Sequence, residues 1–247
     1  MKKLLFILLC VPLLLFSQED QQRVALVIGN SSYPSAPLDN AVNDARLIGS
    51  TLTKVGFDVM RFENLQTNED FFNAILDFSR RLDSCDVGFI YYAGHGIEIG
   101  TVNYLVPVGV DFKKYKDIDK QEAYIKRESF DIKEMMNYLY YEQQRKLNIV
   151  VLDACRVPVI ARGNSNKDPI NKSSIAVNSG TLLAFATRSG DLAEDGVGNN
   201  STYCKSLCKE ILVPNQNIGE IFGNVRDDVE KQTSGRQSPI ERSAISA

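Results

Sequence analysis

Two apolar runs that each close on a reactive side chain constrain this chain more than any other feature. The first, Val87-Gly88-Phe89-Ile90-Tyr91-Tyr92-Ala93-Gly94-His95-Gly96, stops at a histidine held between two glycines, and His95 is the only histidine in the sequence. The second, Leu147-Asn148-Ile149-Val150-Val151-Leu152-Asp153-Ala154-Cys155-Arg156, ends at a cysteine. Both read as strands buried on two faces, as in a parallel sheet covered by helices. Parallel strands joined by right-handed crossovers present their C-terminal ends on one edge, so His95 and Cys155 are expected to share that edge.

The rest of the chain supplies the crossovers. Arg23 to Ile28 is an apolar strand closed by Gly29-Asn30, and the two prolines between Ser31 and Pro37 exclude a helix there. Val42, Ala45, Ile48, Leu52 and Val55 form a helical stripe from Asp39, ended by Gly56. Phe57 to Phe62 is a short strand. Thr67 or Asn68 caps the next helix, which carries Phe71, Phe72, Ile75, Phe78 and Leu82. After His95, Ile97 to Val106 reads as a hairpin turning at Gly100. Asp111 to Lys126 is charged and weakly patterned, a surface excursion. Asp131 to Gln143 is helical, Arg156 to Asn178 is a loop without periodicity, and Thr181 to Ala186 is a strand. Arg188 to Asn200 is a loop, and helices at Thr202 to Leu212 and Ile218 to Lys231 complete an α/β domain with a mostly parallel sheet covered on both faces.

Composition limits the partners. A formal charge of -3 offers no basic field for nucleic acid. The first 17 residues look different from the rest: Lys2-Lys3 precede the apolar stretch Leu4 to Phe16, and Ser17-Gln18-Glu19-Asp20 follows. This is the pattern of a secretory signal peptide, with cleavage expected after Ser17 and a secreted or periplasmic mature chain. The stretch is short for a bilayer span, so no stable membrane anchor is expected. Outside that stretch lie Cys85, Cys155, Cys204 and Cys208. Their spacing gives neither a disulfide framework nor a zinc site, and Cys85, Cys204 and Cys208 read as small buried hydrophobes.

A single imidazole and a thiol at neighbouring strand ends can form a nucleophile and its acid/base partner. The imidazole takes the thiol proton or holds the thiolate, then protonates the departing amine. Attack on a carbonyl develops an oxyanion, for which the backbone N–H groups of Gly96 and Cys155 are the candidate donors. Alternation along a strand sends Asp153 and Cys155 to the same side. An acid there suits a cationic substrate group. Gly29-Asn30 is not followed by a phosphate-binding glycine pattern, which disfavours nucleotide binding.

Tyr-Tyr-Ala-Gly-His-Gly and Asp-Ala-Cys-Arg resemble the histidine and cysteine motifs of caspase-fold cysteine peptidases, in particular the bacterial metacaspase-like members called orthocaspases. The histidine lies 60 residues before the cysteine here, against about 50 in true caspases. Asp-Ala-Cys replaces their Gln-Ala-Cys, as in metacaspase-like relatives. The resemblance implies a caspase-like fold with an open, mostly parallel six-stranded sheet flanked by helices on both faces. It implies a peptidase domain over residues 23–247, with a large-subunit-like part at 23–156, a linker at 157–178 and a small-subunit-like part at 179–247. It also implies Cys155 as nucleophile, His95 as general acid/base, and cleavage after Arg or Lys, with Asp44 and Asp153 at positions that line the pocket with acids. Asp195, in Ala193-Glu194-Asp195, corresponds to the loop that carries an arginine in caspases. The family often cuts itself in the linker, where Arg156, Arg162, Lys167 and Lys172 offer basic sites. No cofactor is implied, and calcium dependence is left open because no calcium-loop pattern is visible. A catalytically silent module binding peptides in the same groove and a peptidase with aspartate specificity are the competing readings. Val157-Pro158-Val159-Ile160 departs from the more polar Asn-Pro-containing segment of relatives.

Overall fold

A computed structural model describes residues 21–99, 102–141, 147–158, 175, 177–188 and 198–245. The elements run β1 (Arg23–Gly29), α1 (Ala41–Lys54), β2 (Asp58–Glu63), α2 (Asn68–Leu82), β3 (Val87–Ile99), β4 (Val102–Leu105) and α3 (Ile118–Glu128). They continue with β5 (Phe130–Asp131), α4 (Ile132–Tyr141), β6 (Leu147–Pro158), β7 (Thr181–Phe185), α5 (Thr202–Ile211), α6 (Ile218–Gln232) and β8 (Ile240–Ser243).

Along the main path of the sheet the order is β2-β1-β3-β6-β7-β8. The first five are parallel, and β8 closes the edge antiparallel to β7. The sheet has eight strands rather than six, because β4 turns back antiparallel on β3 and pairs in turn with β5. The expected hairpin is therefore present, but as an extension of β3 itself.

Alternation along each strand divides the core into two layers. Leu26, Ile90, Tyr92, Val150, Leu152 and Leu183 face α2 and α4, whose Phe71, Ile75, Phe78, Met135 and Leu139 are buried against them. Ala25, Val27, Phe89, Tyr91, Val151 and Ala184 face α1, α5 and α6 through Ile48, Leu52, Leu207, Val225 and Val229. Complete burial of one such aliphatic or aromatic side chain contributes roughly 1.5–3 kcal/mol before entropy is counted. Helix α2 is fixed at its start by a capping box in which Thr67 and Asp70 satisfy each other's backbone N–H groups.

The charged segment after Asp111 holds a regular element. Helix α3 starts on the Asp117 cap and buries Gln121, Tyr124 and Ile125. Tyr124 and Ile125 extend a third apolar cluster made with Tyr33, Ile97, Val106, Val108 and Val110, while Gln121 donates to the Asp111 carbonyl and accepts from the Tyr115 N–H. Three inward residues on an otherwise charged helix are enough to dock it, yet too few to show as a stripe. The short antiparallel strand β8 has no apolar run because its burial is partial.

Among the described residues, no helix is long and apolar enough to cross a membrane. The expected signal peptide at 1–17 and most of the 157–178 linker lie outside the described residues.

Candidate active site

Strand β3 carries His95 and β6 carries Cys155. In their parallel pairing His95 lies opposite Cys155, just as Ala93 lies opposite Asp153. Neighbouring strands run about 4.8 Å apart, so the two backbones are adjacent. Neither strand stops at its reactive residue: the ladder runs on to Glu98 opposite Pro158. The glycines around His95 therefore do not end the strand, and Gly94 admits other groups. A Cβ at Gly94 would stand 2.7 Å from Tyr92 Cζ and 2.9 Å from the Tyr33 hydroxyl, so only glycine leaves room for these two phenols.

Those phenols hold the histidine backbone. The His95 N–H donates to the Tyr33 hydroxyl at 3.0 Å, Tyr33 donates to the Val106 carbonyl at 2.9 Å, and Tyr92 donates to the His95 carbonyl at 2.9 Å. Burial pushes the Tyr33 phenol up to about 12, so it stays a neutral hydroxyl at physiological pH. The imidazole sits 4.4 Å from the Tyr33 ring and 5.2 Å, edge-on, from Phe112. Its Nε2 is 2.7 Å from the carbonyl oxygen of Ala36. A carbonyl can only accept, so Nε2 bears the hydrogen and Nδ1 is the basic nitrogen of the neutral ring.

Asp44 and Asp153 converge from different elements. Gly29 at the end of β1 lets α1 approach closely: a Cβ there would stand 2.6 Å from Ala45 Cβ and 2.7 Å from the Ala41 carbonyl oxygen. Asp44, in the first turn of α1, is 3% exposed, and Asp153 on β6 is 7% exposed. Asp44 Oδ1 accepts from Asn200 Nδ2 at 2.9 Å and from the Ser201 N–H at 3.0 Å. Asp153 Oδ2 accepts from the Tyr91 hydroxyl at 2.7 Å and from Ser201 Oγ at 2.9 Å. Burial pushes the Asp44 carboxyl above its ordinary 3.8, opposed by the hydrogen bonds from Asn200, Ser201 and Cys204. The Tyr91 phenol is raised well above 10.0 by burial and by the charge of Asp153, and so remains a donor.

Four of the residues singled out in the sequence thus gather at one end of the sheet as two adjoining groups: His95 beside the Cys155 backbone, and Asp44 with Asp153. Gly96 follows His95 in β3 and pairs with Leu105 of β4 and Arg156 of β6. Asp195 lies outside the described residues, as does Glu194. Cys204 and Cys208 are buried on α5 as free thiols with their sulfurs 4.0 Å apart, whereas Cys85 is only half-buried and donates to the Arg81 carbonyl.

Several residues around these groups escape a reading of the sequence. Ser201 stands just before a helical stripe and could have been marked as an N-cap. Tyr91 lies within an apolar run whose pattern reads as core, and it is buried there. The Ala36 carbonyl has no side-chain signal at all.

Residues 22–246 match the family described as Caspase domain. The chain is 28% identical over 234 residues to the mucosa-associated lymphoid tissue lymphoma translocation protein 1 homolog of Mus musculus, covering 92% of this chain and 26% of that protein. It is 27% identical over the same length to the corresponding Homo sapiens protein, with the same coverage. The chain thus spans about a quarter of the length of these relatives. With the match extending across the whole sheet and through both motif strands, the chain belongs to the caspase-domain family of peptidases.

Proposed function

We propose that this protein is a cysteine endopeptidase that hydrolyses peptide bonds after Arg or Lys, with Cys155 as nucleophile and His95 as general acid/base. The observation that carries this reading is the register of β3 and β6, which pairs His95 with Cys155 at the end of the sheet where Asp44 and Asp153 are buried.

The Ala36 carbonyl holds the imidazole by its Nε2–H, which orients Nδ1 as base. Nδ1 removes the thiol proton, and the thiolate attacks the carbonyl carbon of the scissile bond. The tetrahedral oxyanion is met by the backbone N–H groups of Gly96 and Cys155. His95 returns the proton to the departing amine, leaving an acyl-enzyme. It then takes a proton from water, whose oxygen attacks the thioester and releases the carboxylic acid product with the thiol restored.

Asp44 and Asp153 receive the cationic side chain that precedes the cut bond. Asn200, Ser201 and Tyr91 donate to them, and these neutral hydrogen bonds fix the orientation of the carboxylate oxygens. Asp195 is a third acid proposed for the same pocket. The placement among bacterial metacaspase-like members, the leader at 1–17 with a secreted or periplasmic location, and self-cleavage within 157–178 belong to the same reading and rest on sequence features alone.

Fluorogenic peptides ending in Arg, Lys or Asp, incubated with wild type, Cys155→Ala and His95→Ala, test it. Hydrolysis of the Arg and Lys peptides by wild type, with a loss of at least a thousandfold in both variants, is expected, and the Cys155→Ala chain should remain uncut in 157–178 when purified alone. Preference for the Asp peptide would reverse the specificity. No turnover of any peptide would favour the silent peptide-binding module.

A further inference from the structure

Beyond the four residues just assigned, we infer that Ser201 is the positioning residue for cation recognition, one side chain and its own amide holding Asp44 and Asp153 in a fixed mutual arrangement. This rests on the basic-specificity reading above.

Ser201 makes three hydrogen bonds, one through its backbone N–H and two through its hydroxyl. Its N–H donates to Asp44 Oδ1 at 3.0 Å, its hydroxyl donates to Asp153 Oδ2 at 2.9 Å, and the same hydroxyl oxygen accepts from the Cys204 N–H at 3.0 Å as the N-cap of α5. A hydroxyl has one proton. The Cys204 amide occupies a lone pair of the oxygen, so the proton is directed to Asp153. The residue is 6% exposed, and the low-dielectric surroundings strengthen each of these bonds.

The carboxylates themselves come from distant parts of the chain, Asp44 from α1 and Asp153 from β6. Ser201 is hydrogen-bonded to both. It also sits at the N-terminus of the ten-residue helix α5, where the helix dipole favours negative charge. A guanidinium is a rigid planar fork, and its recognition depends on where two carboxylates point relative to each other more than on their mere presence. Loss of the Ser201 hydroxyl removes one of the bonds that orient Asp153 Oδ2 and takes the side-chain cap from the start of α5. Affinity for a cationic side chain should fall while affinity for a neutral isostere does not.

The test uses the full chain carrying Cys155→Ala as the parent, so that peptides bind without being cut. Two peptides are compared by calorimetry, identical except for a final arginine or its uncharged isostere citrulline. The parent is expected to favour the arginine peptide by at least tenfold. Adding Ser201→Ala or Ser201→Gly should weaken arginine binding about tenfold with the citrulline peptide unchanged, and Ser201→Thr, which restores a hydroxyl, should retain the preference. Ser201→Gly guards against a folding failure, because glycine is well tolerated at a helix N-cap. Retention of the full arginine preference in both Ser201→Ala and Ser201→Gly, or equal weakening of the two peptides, overturns the role of Ser201 and leaves the specificity reading intact. Equal or unmeasurable binding of both peptides by the parent overturns the basic-specificity reading, and this inference with it.

Discussion

At the scale of single residues the most informative group is Asp44, a carboxyl buried at the start of a helix. Burial raises its proton affinity above the ordinary carboxylate value, and the hydrogen bonds from Asn200, Ser201 and Cys204 only partly offset that. Below about pH 3.8 the group is protonated folded and unfolded alike, and its burial then carries no charge penalty. As pH rises the unfolded chain releases its proton first, so stability falls until the folded group's own raised value is passed. Asp44→Asn keeps a carbonyl acceptor and sheds the charge. It should therefore melt above wild type at neutral pH, with the gap closing as pH falls from the folded group's raised value toward the ordinary 3.8; a gap that widens on acidification contradicts the burial argument. In the sequence Asp44 is one acid on an amphipathic stripe, and only the family resemblance singles it out. His95 and Cys155 were legible directly, because a lone imidazole between glycines and a thiol after an apolar run are rare chemistry in conspicuous places. The Ala36 carbonyl and the phenol bridge of Tyr33 were not, since backbone acceptors and core tyrosines carry no pattern.

At the scale of elements, the strands and the two faces of helices divide the labour. Helices α1 and α5 pack on the face where the carboxylates are gathered; α2 and α4 pack on the other. A weakened α2 should consequently cost stability without touching specificity. Thr67→Ala, which removes the side-chain half of the capping box, is expected to lower unfolding free energy by about 1 kcal/mol in urea titration, with KM for an Arg peptide unchanged. A change in KM larger than the scatter of the assay would show that the two faces are coupled. Long apolar strands and stripes such as Phe71-Ile75-Phe78-Leu82 were readable because their burial is nearly complete. Helix α3 and strand β8 were not, since a charged helix with three inward residues and a half-buried edge strand satisfy no periodic template.

For the molecule as a whole, a parallel sheet turns distant sequence into neighbouring chemistry. His95 and Cys155 are 60 residues apart along the chain, and Ser201 lies 157 residues from Asp44, yet register and one helix N-terminus bring each pair together. Sequence predicts the shared edge from crossover handedness, but register, which decides whether the two reactive residues sit level, depends on the packing of every strand at once. The proposed hydrolysis requires imidazole and thiol to act as one unit. Intact-protein mass spectrometry after treatment with a peptidyl-arginine acyloxymethyl ketone measures that directly: one equivalent should add to Cys155 in wild type, and His95→Ala should slow the addition at least a hundredfold. Labelling at Cys85, Cys204 or Cys208 in place of Cys155, or a rate indifferent to His95, would contradict it.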